Sequence, residues 1–452
     1  MTGKGETLYM MFSAKELRRL ILPLVVEQVL LITVGMADTV MVSSVGEAAI
    51  SAISLVDSIN ILLINVFSAL GTGGAIVTAQ YLGREDGENA SRAAKQLLYV
   101  VGAASGLIMA VCLVLNGPIL RVLFGAAEAD VMAGARLYFY ITALSYPFIG
   151  IYNGGAAIFR AMGNSKVSMY CSVLMNLINI GGNAILIYGF GVGVAGAAVA
   201  TLLSRLTAAL VILRLLCQGG GRVQIHQLLR PEFHPDLVRG FLRVGVPGGL
   251  ENGMFQIGKV LVQGLVASFG TAVIAANAMA NNVVMIPHVS GNAIGLAMVT
   301  VVGQCVGAGE FGQARRYIFR LTALVYGTMG TLEVFLGLSA GFWVGLFHLP
   351  AETTSITLEL IRSFVVAAIL FWPASFALPN GLRAAGDVRF TMVVSTVSMW
   401  VFRVGLSFFL CGPAVGMGIM GVWVAMYIDW VARCAAFVAR FLSGRWQGRQ
   451  VI

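Results

Sequence analysis

The sequence predicts an all-α polytopic membrane protein, with twelve transmembrane helices arranged as two pseudo-symmetric six-helix lobes. Three observations predict it: too little charge to cover a water-facing surface, apolar runs long enough to cross a bilayer, and a second half that repeats the first. Apolar residues fill 58% of the 452 positions and charged residues only 11%, and the mean hydropathy is +0.88. Soluble domains carry about 25% charged residues, so lipid must cover part of this surface. About 20 apolar residues span a bilayer, and only helices or closed barrels satisfy their backbone there. Long runs without period-2 alternation select helices.

Spans are expected at 17–42, 51–79, 93–116, 131–159, 167–188, 192–216, 237–268, 275–304, 314–342, 354–382, 390–411 and 417–441. Twenty-two Lys and Arg residues then fall in the tails, inner loops and adjoining span ends of one side. Three (Arg121, Arg136, Arg362) fall on the other side, and four (Arg205, Lys259, Arg403, Arg433) within spans. Basic loops stay cytoplasmic, so both termini are expected inside, in a plasma (bacterial inner) membrane. The net charge of +9 is thereby a topology signal and not a nucleic-acid footprint. Lys15, Arg18 and Arg19 lead into a long span with no short apolar core and cleavage site, so no removable signal is expected. The segment 217–235, with Gly219, Gly220, Gly221 and Pro231, is the longest polar connection and reads as a linker. The chain then divides into a lobe at 1–216, a cytoplasmic linker at 217–236 and a lobe at 237–452.

The repeat runs at a nearly constant offset. Leu22-Pro23-Leu24-Val25-Val26-Glu27-Gln28 matches Val246-Pro247-Gly248-Gly249-Leu250-Glu251-Asn252, 224 residues later. The same offset joins Gln80 to Gln304, Gly83 to Gly307 and Ala90 to Ala314. Tyr146-Pro147 resembles Trp372-Pro373, and Arg160-Ala161-Met162-Gly163-Asn164 resembles Arg383-Ala384-Ala385-Gly386-Asp387. Gly196 and Ala200 answer Gly421 and Ala425. An even number of spans per half gives both halves one orientation, a parallel repeat typical of carriers with a central site between lobes.

Six acids lie inside spans: Glu27, Asp38, Asp57, Glu251, Glu333 and Asp429. A charge at mid-bilayer costs at least about 2.5–3.5 kcal/mol, so most must face a wet cavity or a partner. Glu27 and Asp38 fall within about 20° on one helix, separated by about 16 Å along its axis. Asn60 and Asn65, with Asn176, Asn179 and Asn183, are candidates to line the same chamber. A carboxylate among amides holds a hard cation or a proton; the alternative is a structural acid bonded to a neighbouring helix. For Glu27 and Glu251 the repeated Pro-x-x-x-Glu is equally consistent with an architectural hydrogen bond. Glu251 and Lys259 are about 80° apart on their helix, so Lys259 would reach Glu251, Glu333 or Asp429 across helices. A fixed lysine repels a metal cation, which assigns the ion to the N-terminal half. Arg433 follows Asp429 by four residues, the spacing of a structural pair. Asp57 is expected near the outer end, solvated, and Arg403 has no evident partner. Methionines and phenylalanines are mostly packing residues; Met175, Met254, Phe255, Met279 and Met285 share spans with polar candidates.

The chain resembles the multidrug and toxic compound extrusion (MATE) family. The carriers of the likeness are Leu22-Pro23 with Asp38-Thr39-Val40-Met41-Val42, Gln80-Tyr81-Leu82-Gly83, Phe159 to Asn164, and Asn179-Ile180-Gly181-Gly182-Asn183. Gly189-Phe190-Gly191, Gly196 to Thr201, Gln304 to Gly307 and Leu382 to Asp387 continue it. The resemblance implies a V-shaped bundle exporting cationic, amphipathic drugs by alternating access, driven by Na+ or H+ entry, with no further cofactor. Asp38 matches the family's first-helix acid and is the expected cation (metal) ligand; Asn179 matches its fifth-helix Asn. Asn183 stands where one branch has an aspartate. Glu251 lies one turn before the seventh-helix Glu of the sodium-coupled branch, whose position is Phe255, and Trp372 stands for its tenth-helix aspartate. Neither acid set is complete, so the ion stays open. The expected ion site is Asp38, Asn179, Asn183, Asn176 and Asn60, and the expected substrate cavity Glu27, Glu251, Lys259, Phe255, Met254 and Asn281. The protein is expected to be a monomer in lipid that binds small-molecule cations and no nucleic acid.

A flippase of the same superfamily, moving a lipid-linked oligosaccharide, would want several free arginines for pyrophosphate. A major-facilitator carrier lacks support in Gly83-Arg84-Glu85-Asp86-Gly87, which has no doubled basic ending. A membrane-embedded transferase needs convergent His, Cys or acids. The six cysteines (Cys112, Cys171, Cys217, Cys305, Cys411, Cys434) and four histidines (His226, His234, His288, His348) have neither metal nor paired spacing, so no enzyme is expected.

Overall fold

The computed structural model describes residues 10–452 except 126, 219, 220, 226, 229, 231 and 348, so Gly219, Gly220, His226, Pro231 and His348 lie outside the described residues. The first half contains α1 (Ala14–Ser43), α2 (Glu47–Gly83), α3 (Gly87–Val114), α4 (Asn116–Phe124), α5 (Ala129–Leu144), α6 (Tyr146–Ala161), α7 (Ser165–Asn183) and α8 (Val194–Cys217). The second contains α9 (Pro235–Ala267), α10 (Thr271–Gly307), α11 (Phe311–Gly345), α12 (Ala351–Trp372), α13 (Leu378–Ala384), α14 (Val388–Ser398), α15 (Leu406–Cys411) and α16 (Gly418–Leu442). Among the described residues there is no strand.

The expected spans correspond to twelve helical passages, with α4 as a short extra helix after the third. Ten passages are long and apolar enough to cross a membrane. The other two are α5–α6, a pair of 16-residue helices broken at Ser145, and α9, which carries Pro247 and several charges. The break was not expected. Pro147 sits in the first turn of α6, where its missing N–H costs nothing, and it bars one continuous helix. Its repeat counterpart Pro373 opens a π-helical stretch, Pro373–Ala377, between α12 and α13. Side chains such as Leu338, 85% exposed on α11, suit contact with lipid rather than water.

Two large apolar clusters form, one in each half, and the beginnings of the first helices cross between them, while Met41 and Val42 of α1 and Val262 and Val266 of α9 stay with their own half. Leu20 and Leu24 of α1 pack in the cluster of the second half. Phe241 of α9 packs in the cluster of the first half. Accordingly α1 packs on α7 and α10, while α9 packs on α14 and α2.

The halves also lock reciprocally at the end where α2 and α10 finish. Gln80 Nε2 donates to the Ala384 carbonyl at 3.0 Å, and Gln304 Nε2 donates to the Ala161 carbonyl at 2.7 Å. A Cβ on Gly83 would overlap the Gln304 backbone, and one on Gly307 would overlap the Gln80 backbone. Glycine is needed at both positions because two helices touch backbone to backbone. The segment after α16 covers this joint. Val451 N donates to Gln80 Oε1 at 3.0 Å, Gln450 Nε2 to the Val306 carbonyl at 2.8 Å, and Arg449 pairs with Asp387 at 3.1 Å.

Candidate functional site

Away from that joint the halves part around a central cavity of about 620 Å³. Glu27 and Glu251, related by the repeat, both line it, as do Asn65, Met175, Trp372 and Phe376. Neither acid is free. Arg160 Nη1 donates to Glu27 Oε1 at 3.4 Å, and Ser168 Oγ donates to Glu27 Oε2 at 2.9 Å. Arg383 Nη2 donates to Glu251 Oε1 at 2.6 Å, and Arg383 Nη1 to Asn380 Oδ1 at 2.9 Å. The duplicated Pro-x-x-x-Glu is thus joined to the duplicated Arg-Ala motif of its own half. Each cavity carboxylate is neutralised by a repeat-related guanidinium. Two opposite-sign anchors repeated in register were the sequence signal for this pairing.

Asp38 opens elsewhere. It lies further along α1, on a separate cavity of about 120 Å³ lined also by Gly35, Asp57, Tyr138, Asn183 and Thr201. The single chamber expected for Glu27 and Asp38 is therefore two. Helix α1 runs past both, with Glu27 and Leu31 on the central cavity and Gly35 and Asp38 on the inner one. Asn183 Nδ2 donates to Asp38 Oδ1 at 2.7 Å. In the amide orientation that satisfies both neighbours, Asn179 donates to Asp38 Oδ1 at 2.8 Å and accepts from Thr201 Oγ1 at 3.2 Å. Asn179 and Asn183 are one turn apart and share a face of α7. A π-helical turn, Ala184–Gly189, follows them directly; such turns recur at functional sites.

Asp57, expected to be solvated, is instead the second carboxylate of this cavity. It accepts from Asn60 Nδ2 at 3.1 Å and from the Tyr138 hydroxyl at 3.4 Å. Asn60, expected at the ion site, reaches it only through Asp57, and its Oδ1 accepts from Tyr146 at 2.7 Å. Asn176 is buried on α7 with its amide nitrogen unpartnered. Arg205 donates to Ser145 Oγ at 2.7 Å and acts electrostatically on both carboxylates. Sequence reading missed Asp57, Tyr138 and Thr201 because they come from three different helices. Among the described residues no three His, Cys, Asp or Glu side chains converge on a metal position. A cation beside Asp38 would need hydroxyl or water oxygens besides the two carboxylates.

Lys259 and Asn281 line a third cavity, in the second lobe, of about 70 Å³, together with Asn277, Arg403, Trp423 and Met426. The proposed partners of Lys259 are committed elsewhere: Glu251 to Arg383, and Asp429 to Arg433 at 2.8 Å. Glu333 is fully buried with both carboxylate oxygens unpartnered. Phe255 lies beneath the Arg403 and Arg433 guanidiniums, 5.4 and 5.7 Å from its ring centre. Met254 is partly buried on α9 and lines none of these three cavities.

A family model described as MatE matches residues 23–185 and again 247–409, repeating the offset between the halves. "Uncharacterized transporter YisQ" of Bacillus subtilis is 26% identical, over 94% of this chain and 93% of its own length. "Probable multidrug resistance protein NorM" of Thermotoga maritima is 25% identical, over 97% of this chain and 94% of its own length. Among solved structures, "Outward-facing conformation of a multidrug resistance MATE family transporter of the MOP superfamily" superposes with a TM-score of 0.87 at 22% identity, covering 95% of each chain.

Proposed function

The chain belongs to the MatE family of membrane transporters, and from that premise we propose that it exports small organic cations in exchange for an inward-moving Na+ or H+ bound at Asp38. One observation carries the reading. Asp38 and Asp57 share a cavity of about 120 Å³ inside an apolar lobe. Two carboxylates in so small a space repel, and a proton or cation between them relieves the repulsion. The Asn179 and Asn183 amides orient Asp38 toward that space.

The central cavity suits the cargo. Its acids are paired, so an amphipathic cation meets a surface of mixed polarity, with Trp372 and Phe376, stacked on each other, among its apolar lining. Alternating access follows from two lobes rocking so that the joint held by the reciprocal Gln80 and Gln304 contacts closes and parts. The excess of Lys and Arg at the span ends beside that joint supports a cytoplasmic side for it, and the reading is of a monomer in a bacterial inner membrane. A lipid-linked oligosaccharide flippase finds less support. Of the three arginines on the cavity, Arg160 and Arg383 are paired with carboxylates, which leaves Arg205, bonded to the Ser145 hydroxyl, and no cluster of free arginines for a pyrophosphate.

The test is drug efflux from proteoliposomes under a sodium-only and, separately, a proton-only gradient, for wild type and Asp38→Asn. Efflux driven by one gradient and lost in the variant is expected. Undiminished gradient-driven efflux by Asp38→Asn would remove this residue from the mechanism.

A further inference from the structure

The cavity beside Lys259 is the repeat counterpart of the cavity beside Asp38. At the offset of the repeat Gly35 corresponds to Lys259, Asp38 to Val262, Ile53 to Asn277 and Asp57 to Asn281. One residue further in register, Thr201 corresponds to Met426. In each pair both residues line their own cavity. The architecture is held and the charge is inverted: both carboxylates are gone, and a lysine stands where the first lobe has glycine. Arg403 adds a second positive charge from the π-helical turn Met399–Gly405.

Among the described residues no acid pairs directly with either Lys259 or Arg403; Asp429 acts on Arg403 only at longer range. Arg403 Nη2 meets only the Met426 sulfur, at 3.0 Å, beyond its stacking on Phe255; a thioether is a weak acceptor. Asp429, on the same helix as Met426, is taken by Arg433 Nε at 2.8 Å and Ser398 Oγ at 2.6 Å. Two like charges facing one small cavity inside a membrane-spanning lobe raise each other's energy unless an anion sits between them.

We propose that this second-lobe cavity, between α9, α10, the turn Met399–Gly405 and α16, binds a small monovalent anion held by Lys259 and Arg403. Its size fits that ligand. A water requires about 10–15 Å³ measured in this way, so about 70 Å³ admits a halide or a small carboxylate. The Asn281 side chain, also on the cavity, supplies a neutral amide beside the two cations. The site lies in the lobe opposite Asp38, so it stands or falls independently of cation coupling there.

The experiment uses the full chain purified in detergent. Thermal unfolding is followed while sodium chloride or sodium acetate replaces sodium gluconate at constant sodium, and crystals grown in bromide are examined for anomalous scattering. A saturable rise in Tm is expected with chloride or acetate, and bromide density is expected between Lys259 and Arg403. Saturation by chloride at the lower concentration identifies a halide as the small anion; saturation by acetate at the lower concentration identifies a small carboxylate. Lys259→Gln and Arg403→Gln are each expected to weaken the apparent affinity about tenfold. The wild-type titration and the bromide map need no variant, so misfolding of either variant leaves the test intact. Curves identical to gluconate for both anions, or no bromide at the cavity, overturn the proposal, as do variants that titrate like wild type.

Discussion

Glu27 of α1 and Arg160 of α6 meet at 3.4 Å, and their repeat partners Glu251 of α9 and Arg383 of α13 meet at 2.6 Å. The pairs tie the first helix of each half to the end of that half's fourth span. Both pairs line the central cavity, so each holds its lobe together and sets the charge of the chamber.

Removing one member leaves the other charge half-buried. Glu27→Gln is expected to lower stability by about 1–3 kcal/mol, the cost of an unpaired buried polar group. Thermal unfolding in detergent checks it. The double variant Glu27→Gln/Arg160→Gln should lose less than the sum of the single losses; strict additivity would mean that the pair does not couple.

At the inner cavity, Asp57→Asn keeps the shape and removes one of two carboxylates. Affinity for the coupling cation is expected to fall about tenfold, or about 1.4 kcal/mol. Cation titration of efflux in proteoliposomes checks it, and an unchanged half-saturation would separate Asp57 from the ion.

The reciprocal glutamines hold the closed joint. Gln304→Ala removes one hydrogen bond between halves, worth about 1 kcal/mol, and should shift the closed–open balance about fivefold, while Gln80→Ala removes two, to Ala384 and Val451, and should shift it further. Spin-label distances across the joint, between α2 and α10, read that shift. Distances matching wild type would deny the bonds a role in closure.

Gly307→Val acts at the same joint through sterics. A side chain there overlaps the Gln80 backbone, so the two halves cannot close. The variant is expected to express and bind cargo but to lose export, with thiol labelling of the buried Cys305 rising sharply. Wild-type export would mean that the backbone contact is dispensable.

Much of this was legible in the residues. Charge scarcity and run length predicted the passages, and Gln80, Gly83, Gln304 and Gly307 stood out as anchors before their contacts were known. Register between halves is a one-dimensional property, and a chain displays it openly. The pairing of Asp38 with Asn183 was within reach for the same reason, since the α7 amides are one turn apart. That Asp57 shares a cavity with Asp38 was not legible, because it depends on α1, α2 and α5 meeting, and no local pattern encodes which helices meet. The break at Ser145 was announced by Pro147 and passed over because the apolar run continues through it. Lys259 and Arg403 were each seen as intramembrane charges, but only the packing of α9 against α16 and the turn Met399–Gly405 brings them to one cavity.

The mutual contacts of Gln80 and Gln304 have the form of a twofold dimer contact, in which one patch of surface meets its own image. A chain half as long, bearing one such patch, would carry everything needed to associate with a twin. The present molecule is in this sense a dimer fused through residues 217–235. Separately translated fragments 1–220 and 221–452 should accordingly find one another in the bilayer and restore a working carrier.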